Sequence, residues 1–391
     1  MAILLTGLMA FLTKKKMLIE VRRDILEQAI NDANSSTNDA AIFLSEVALA
    51  VKRGKHIVYV PALNGDIDLS TNLKKVIGKN AVALLQSSQR DRSKFWALTD
   101  RLNTKAVCSY DEVTPEGNFT KVIHINPSHM MDFDVGVETH VIGENLLDVT
   151  MFDILFDYYA SSHRLKDVSR CFYPLMGGGD TTCKVYENEC EYQHHFCLVI
   201  TDSDFKLPCE EGKELENLEN ESTAGKVLCV HNKYQSPVSV FYPMRYVSEI
   251  ENLIPKDIYK EYGFNNKQSI VLDHDYSFYD MKKGLDFYRL RKPEHYDYWT
   301  TVYAGDADFS EFDSLSAQHE TFASFRDAAK GKFVLPGWGY DILKNILDTS
   351  TLVKSMRKTK RADLSESQHK EWIKIGEIMF NWTCALEPRY A

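Results

Sequence analysis

Glu144 closes the apolar run His140-Val141-Ile142-Gly143, and Asp202 and Asp204 close a second, Phe196-Cys197-Leu198-Val199-Ile200-Thr201. Carboxylates gathered in this way suit a hard divalent cation. Mg²⁺ takes a few carboxylates and completes its octahedron with water and phosphate oxygens. Where two ions sit about 4 Å apart, one activates an attacking water and the other stabilises the leaving oxygen. Asp148 stands one helical turn beyond Glu144 and can face the same pocket. An apolar run of this length reads as a buried parallel strand, and open α/β sheets bind their ligands at the carboxyl ends of such strands.

Positioning these groups requires alternating elements. The pattern predicts a strand over Thr139 to Gly143, a helix from about Leu147 to Ser162 and a strand over Arg170 to Leu175. The turn Gly177-Gly178-Gly179-Asp180-Thr181-Thr182 follows, then a helix to about Cys190 and a strand over Phe196 to Thr201. This β-α-β-α-β order implies a parallel sheet with right-handed crossovers, so all three loops open on one edge. Successive glycines at a helix start suit a phosphate or carboxylate, although three glycines alone more often make a tight turn. His194-His195 reads as a polar strand edge, because no Cys or His stands at the spacing of a closed metal site.

Upstream, Leu18 to Ile30 has helical spacing and ends in a turn cluster at residues 31–36, and Ala40 to Lys52 is again helical. His56 to Pro61, Ala81 to Gln86 and Lys105 to Ser109 read as strands, giving a small α/β unit over residues 38–130 with no acidic pair and no phosphate loop. Ser365 to Leu386 reads as a closing helix. The expected organisation is a helical and small α/β region at 1–134, a parallel-sheet α/β domain at 135–300, and a mainly helical region at 301–391.

Composition excludes several classes. The 391 residues are 44% hydrophobic and 26% charged, the balance of an ordinary soluble protein with room for two or three domains. A net charge of −10 argues against coating nucleic acid through the overall field. A local basic patch remains, comprising Lys354, Arg357, Lys358, Lys360 and Arg361, and its plain alternative is a solvated face. The glutamate run over residues 210–221 reads as an exposed loop. Eight cysteines without a CxxC pair fit a reducing cytoplasm, and no run of about eighteen apolar residues predicts a membrane span. The apolar first twelve residues precede Lys14-Lys15-Lys16, the reverse of signal-peptide order, so they read as an amphipathic or buried helix and a candidate docking surface. Ser222-Thr223-Ala224-Gly225-Lys226 lacks the first glycine of a phosphate loop and the hydroxyl after lysine, which argues against an ATPase in this chain.

Glu144 with Asp148, followed by Asp202-x-Asp204, resembles the topoisomerase-primase (TOPRIM) domain. The glycine-rich turn between the two motifs and the segment Arg245 to Pro255 are similar to the variant in overcoming-lysogenization-defect (OLD) nucleases and related phage-defence nucleases. The resemblance covers residues 135–300 or so. It implies a Rossmann-like parallel sheet, one or two Mg²⁺ or Mn²⁺ ions, and cleavage of nucleic acid. Glu144 would act as metal ligand or general acid/base, with Asp148, Asp202 and Asp204 as further ligands. Ser248 and Glu251 would hold a second ion, with Glu249 as the competing choice. Lys282 would supply positive charge to the developing phosphorane, ahead of Lys283 and Lys206. Because OLD-type nucleases work with an ATPase, the resemblance also implies a separate ATPase or other defence-system partner and a cytoplasmic effector.

Two other readings stand beside this one. A catalytically silent TOPRIM-like module would bind nucleic acid or regulate a partner, and a nucleotidyl or phosphoryl transferase would keep the metal and bind nucleotide near residues 177–182. The aromatic stretch from Tyr259 to Tyr303 reads first as core packing and second as a base-stacking platform.

Overall fold

The computed structural model describes residues 17–87, 102–113, 121–128, 134–165, 169–193, 195–210, 212–319 and 321–385. The apolar N-terminal segment and His194 lie outside them. The described chain is a mixed α/β fold with two four-stranded parallel sheets and flanking helices. Contacts divide it into two units that interleave along the sequence: residues 1–199, 229–242 and 375–391 form the first, and residues 200–228 and 243–374 the second.

In the first sheet the order is β2-β1-β3-β4, from β1 (Leu18–Val21), β2 (Ile57–Tyr59), β3 (Thr104–Cys108) and β4 (Lys121–Ile125), all parallel. Every residue of β1 and β3 is buried, as a strand covered on both faces requires. The two charges this entails, Glu20 and Lys105, meet at 2.7 Å. Helix Asp39–Arg53 packs Phe43, Leu44, Val47, Ala48 and Val51 inward; Asn38 caps its start and Gly54, at φ +68°, ends it.

Two expectations here are corrected. Ala81 to Gln86 is not a strand but part of helix Lys79–Ser87, in which Val82 and Leu85 face the core one turn apart. Leu18 to Ile30 is not one helix: Leu18–Val21 is the buried strand β1, and only Arg23–Asn31 is helical. A short apolar run has no decisive period, so its tertiary setting decides between strand and helix.

The second sheet follows the order β7-β5-β8-β9. Its strands are β5 (Thr139–Gly143), β7 (Phe172–Met176), β8 (Cys197–Thr201) and β9 (Ser239–Pro243), and β6 (Ser169–Arg170) pairs separately with β12 (Cys384–Ala385). β5 is parallel to both neighbours, with Gly143 opposite Met176 and Ile142 opposite Val199. The expected β-α-β-α-β order is therefore present, and the chain leaves β5 and β7 at the same edge.

The second unit includes β10 (Gly284–Asp286), antiparallel to β11 (Phe333–Pro336). Its core is aromatic: Tyr259, Tyr279, Trp299 and Tyr303 are fully buried, and Tyr279 stands edge-on to Trp299 and Tyr303. Most of the tyrosine-rich stretch is thus packing. Tyr288, more than half exposed, is one of its few members facing solvent.

Candidate active site

Asp202 begins the chain's exit from β8. Its Oδ1 accepts the Ile250 N–H at 2.8 Å, while the N–H groups of Ser203 and Asp204 both donate to the Ser248 carbonyl. Asp204 adopts φ +58°, a left-handed conformation that Asp tolerates better than most side chains. The Asp202-Ser203-Asp204 turn and the Ser248–Leu253 segment are thus stitched together through their backbones.

That segment is a short 3₁₀ turn, Ile250–Leu253, with Glu249 at its N-cap. Asn252 anchors it by accepting the Glu249 N–H and donating to the Tyr276 and Tyr279 carbonyls. Trp372 Nε1 and Gln368 Nε2 bind the carbonyls of Leu253, Asn252 and Ile254. Glu249 and Glu251 are held buried on this anchored turn.

Lys282 meets them from a second tight turn. Its Nζ lies 3.1 Å from Glu251 Oε2, 3.5 Å from Glu249 Oε2 and 4.0 Å from Asp202 Oδ2. The turn is gripped from behind, with Gly337 N–H donating to the Lys283 carbonyl, Trp338 N–H to Met281 and Gly339 N–H to Lys282. Only glycine fits there. A Cβ on Gly284 would lie 2.5 Å from the Leu335 carbonyl, and one on Gly337 2.5 Å from the Lys282 carbonyl.

The electrostatics follow from this crowding. Burial raises both Glu249 and Glu251 above the ordinary carboxylate value; the Lys282 charge opposes the shift, and Asp280 adds to it. Burial disfavours the Lys282 ammonium, but Asp202, Glu251 and Glu249 outweigh it and push its pKa up. Three carboxylates share one ammonium, and Glu249 Oε2 and Glu251 Oε2, both buried, face it without a hydrogen bond of good geometry. Carboxylate oxygens are the donor type that Mg²⁺ and Mn²⁺ take. Behind them Arg289 donates to the Phe278 and Lys206 carbonyls and lies over the Trp299 ring, 5.4 Å from its centroid.

Glu144 follows β5 in the first unit, and its carbonyl accepts the N–H groups of Gly178 and Gly179. Asp148 is buried and serves the backbone, since its Oδ2 accepts the Asn145 N–H and closes a capping box on helix Leu146–Ser162. Ser248 is buried, with its backbone committed to Ser203, Asp204 and Ser277. Lys283 is exposed, and Lys206 is near enough to bear on Glu249. Lys354, Arg357, Lys358, Lys360 and Arg361 are all exposed, with Arg361 paired to Glu366.

A second cluster comes from residues that local spacing does not single out. His140, Glu189 and His195 form a largely buried group capable of coordinating a divalent metal, with one ligand atom from each within 4.8 Å of the others. Burial alone would raise the Glu189 carboxyl, yet the hydrogen bonds and charges of His140 and His195 hold it down at about 2. The readable signal was the pairing of two adjacent parallel strands, which sets His140 opposite Cys197 and so close to His195. Clefts of about 290 and 400 Å³ lie elsewhere, beside Asp24 at the carboxyl edge of the first sheet. There Asp24 Oδ2 accepts from Ser109 Oγ and the Tyr110 N–H, and no carboxylate–lysine cluster like that at Lys282 lines them.

Cys108, Cys171, Cys183, Cys190, Cys197, Cys209 and Cys229 are free thiols, and no described helix is long and apolar enough to cross a membrane. The chain matches no family model, no curated protein and no solved structure.

Proposed function

We propose that this chain is a divalent-metal-dependent phosphodiesterase of the TOPRIM kind that cleaves nucleic acid. One observation carries the reading: Lys282 Nζ stands within 4.0 Å of Asp202, Glu249 and Glu251 on turns anchored from behind. Such a group matches what phosphoryl chemistry asks of a protein, namely carboxylates to hold a cation and a fixed ammonium to stabilise charge on the phosphate. Asp202, Glu249 and Glu251 would hold Mg²⁺ or Mn²⁺, with Asp204 alongside on the same turn. The bound ion would lower the pKa of a water and polarise the phosphate.

The protein's own contribution is geometric and electrostatic. Ile250 N–H orients the Asp202 carboxylate, and the 3₁₀ turn fixes Glu249 and Glu251. Lys282 offsets the repulsion among the carboxylates and would supply positive charge to the phosphate oxygens of a bound substrate. We further propose the setting that the resemblance implies, a cytoplasmic effector of phage defence governed by a separate ATPase or regulatory partner.

The test is cleavage of duplex DNA, single-stranded DNA and total cellular RNA with Mg²⁺ or Mn²⁺, comparing wild type with Asp202→Asn, Glu251→Gln and Glu144→Ala. Metal-dependent cleavage that the first two substitutions abolish supports the reading. The Glu144 variant reports whether the first unit contributes. Cleavage indifferent to both Asp202→Asn and Glu251→Gln would overturn it.

One observation favours the silent module. Lys282 already occupies the centre of the carboxylates, as a permanent counterion would. Lys282→Ala separates the two: an enzyme loses cleavage, whereas a silent module keeps its nucleic-acid affinity and has no cleavage to lose.

A further inference from the structure

His140 is the second residue of β5 and stands towards the strand edge opposite the one from which Glu144 leaves. Four residues of strand separate their Cα atoms by roughly 13 Å. Because His140 pairs with Cys197, His195 enters β8 at this same opposite edge. Glu189 comes from between them in sequence, at the start of a π-helical turn, Glu189–Gln193, that continues helix Thr182–Asn188. Such turns are rare and concentrate at functional sites.

The three side chains converge on one point. His140 Nδ1 lies 2.8 Å and His195 Nδ1 3.4 Å from the same oxygen, Glu189 Oε2. The Glu189 oxygen thus faces two imidazole nitrogens at once, with the buried His195 Nδ1 held at the longer distance. A cation among the three ligand atoms would be held by all of them at once. The imidazoles are crowded together, with ring centroids 4.4 Å apart. His140 and His195 side chains are 12% and 15% exposed and Glu189 6%, so the group is sheltered yet reachable by an ion.

Donor type selects the metal. Mg²⁺ takes oxygen ligands, whereas two imidazoles and a carboxylate suit Zn²⁺ and its transition-metal neighbours and leave a fourth position for water. We propose that His140, Glu189 and His195 form a zinc-class metal site in the first unit, separate from the carboxylate cluster around Lys282. A bound ion would cross-link the entries to β5 and β8 and the π-helical turn, and loading would stabilise the fold by mass action.

The experiment uses the full chain, stripped with a chelator and titrated with Co²⁺, whose visible absorption reports coordination geometry, followed by displacement with Zn²⁺. With excess Mg²⁺ present to occupy the carboxylate cluster, wild type is expected to bind one equivalent, with nitrogen-ligand absorption and a higher melting temperature. His140→Ala and His195→Ala should each weaken binding by more than the roughly 10–100-fold that loss of a supporting residue costs. Glu251→Gln and Lys282→Ala should leave the Co²⁺ spectrum and stoichiometry unchanged. If a histidine variant fails to fold, Glu189→Gln keeps the shape of the side chain and its hydrogen bonding and should still lower affinity. Wild type that binds no Co²⁺ or Zn²⁺ at micromolar concentration overturns the proposal. So does binding that survives in both histidine variants or disappears in Glu251→Gln. Mg²⁺-dependent cleavage is read separately, so either conclusion can fail without the other.

Discussion

Lys282 Nζ and Glu251 Oε2 lie 3.1 Å apart, the lysine 26% exposed and the glutamate almost wholly buried. They come from two tight turns, each fixed by backbone bonds to its neighbours, so the pair belongs to the scaffold as well as to any chemistry. The contact neutralises a carboxylate that burial disfavours as an anion.

Lys282→Ala should therefore act on stability and on cleavage together. Removing one partner leaves buried negative charge uncompensated, a loss of about 3 kcal/mol in the metal-free protein. Millimolar Mg²⁺ should recover part of that loss, since a cation can take the place of the ammonium. Cleavage should fall by about 10²–10³, the usual cost of removing one electrostatic stabiliser. Thermal melts with and without Mg²⁺ check the first effect and single-turnover cleavage the second; a variant with wild-type melting in both buffers refutes it.

Glu249 sets a pH dependence. Burial raises its carboxyl, with Lys282 opposing and Asp280 and Glu251 adding to the rise, from 4.5 to about 7. The folded state then binds more protons than the unfolded one, so the contribution to stability is present at acid pH and is lost as pH rises across that window. Metal-free wild type should melt at progressively lower temperature from about pH 5 to about pH 8, and Glu249→Gln should flatten this slope. An identical slope in the variant would assign the effect to another group.

These residues differ in how legible they were. The strands carrying Glu144 and Asp202 were readable because buried parallel strands leave continuous apolar runs. The meeting of Lys282 with Asp202 was not, since it depends on the pairing of β10 with β11 and on a glycine contact between distant segments. Glu249 and Glu251 competed for one role in the sequence, but a 3₁₀ turn with Glu249 at its N-cap brings both to the same lysine. His195 has no metal partner at local spacing, and parallel pairing of β5 with β8 supplies one from a distant strand. Ala81 to Gln86 is helical although it resembles a strand, because six apolar-rich residues carry no distinguishing period.

Gly337 tests whether the geometry of the lysine turn matters apart from its charge. An added methyl would lie 2.5 Å from the Lys282 carbonyl, so the turn must shift. Gly337→Ala should cost about 1–3 kcal/mol by overpacking and should depress cleavage although no charged group has changed. Gly339, at φ +92° with nothing within 4 Å of where a Cβ would lie, is the comparison: Gly339→Ala should cost about 1–2 kcal/mol through backbone strain. Urea denaturation gives both values. Wild-type cleavage in Gly337→Ala would mean that the Lys282 turn tolerates displacement.

Asp148 separates a cap from a ligand. Its Oδ2 accepts the Asn145 N–H while Asn145 Oδ1 accepts from Leu147 and Asp148, a reciprocal arrangement at the start of helix Leu146–Ser162. Asp148→Ala should cost about 1 kcal/mol, the usual effect of a lost cap. Asp148→Asn keeps an acceptor oxygen and should restore most of that stability. The charge, however, is gone in both variants. If Asp148 acts only as a cap, the Asn variant cleaves like wild type; if it also holds the ion, the Asn variant is stable but needs more Mg²⁺ for the same rate. Chemical denaturation and an Mg²⁺ titration of cleavage on the two variants distinguish these outcomes. A stable Asn variant with an unshifted Mg²⁺ requirement would remove Asp148 from the metal set and leave it a structural residue.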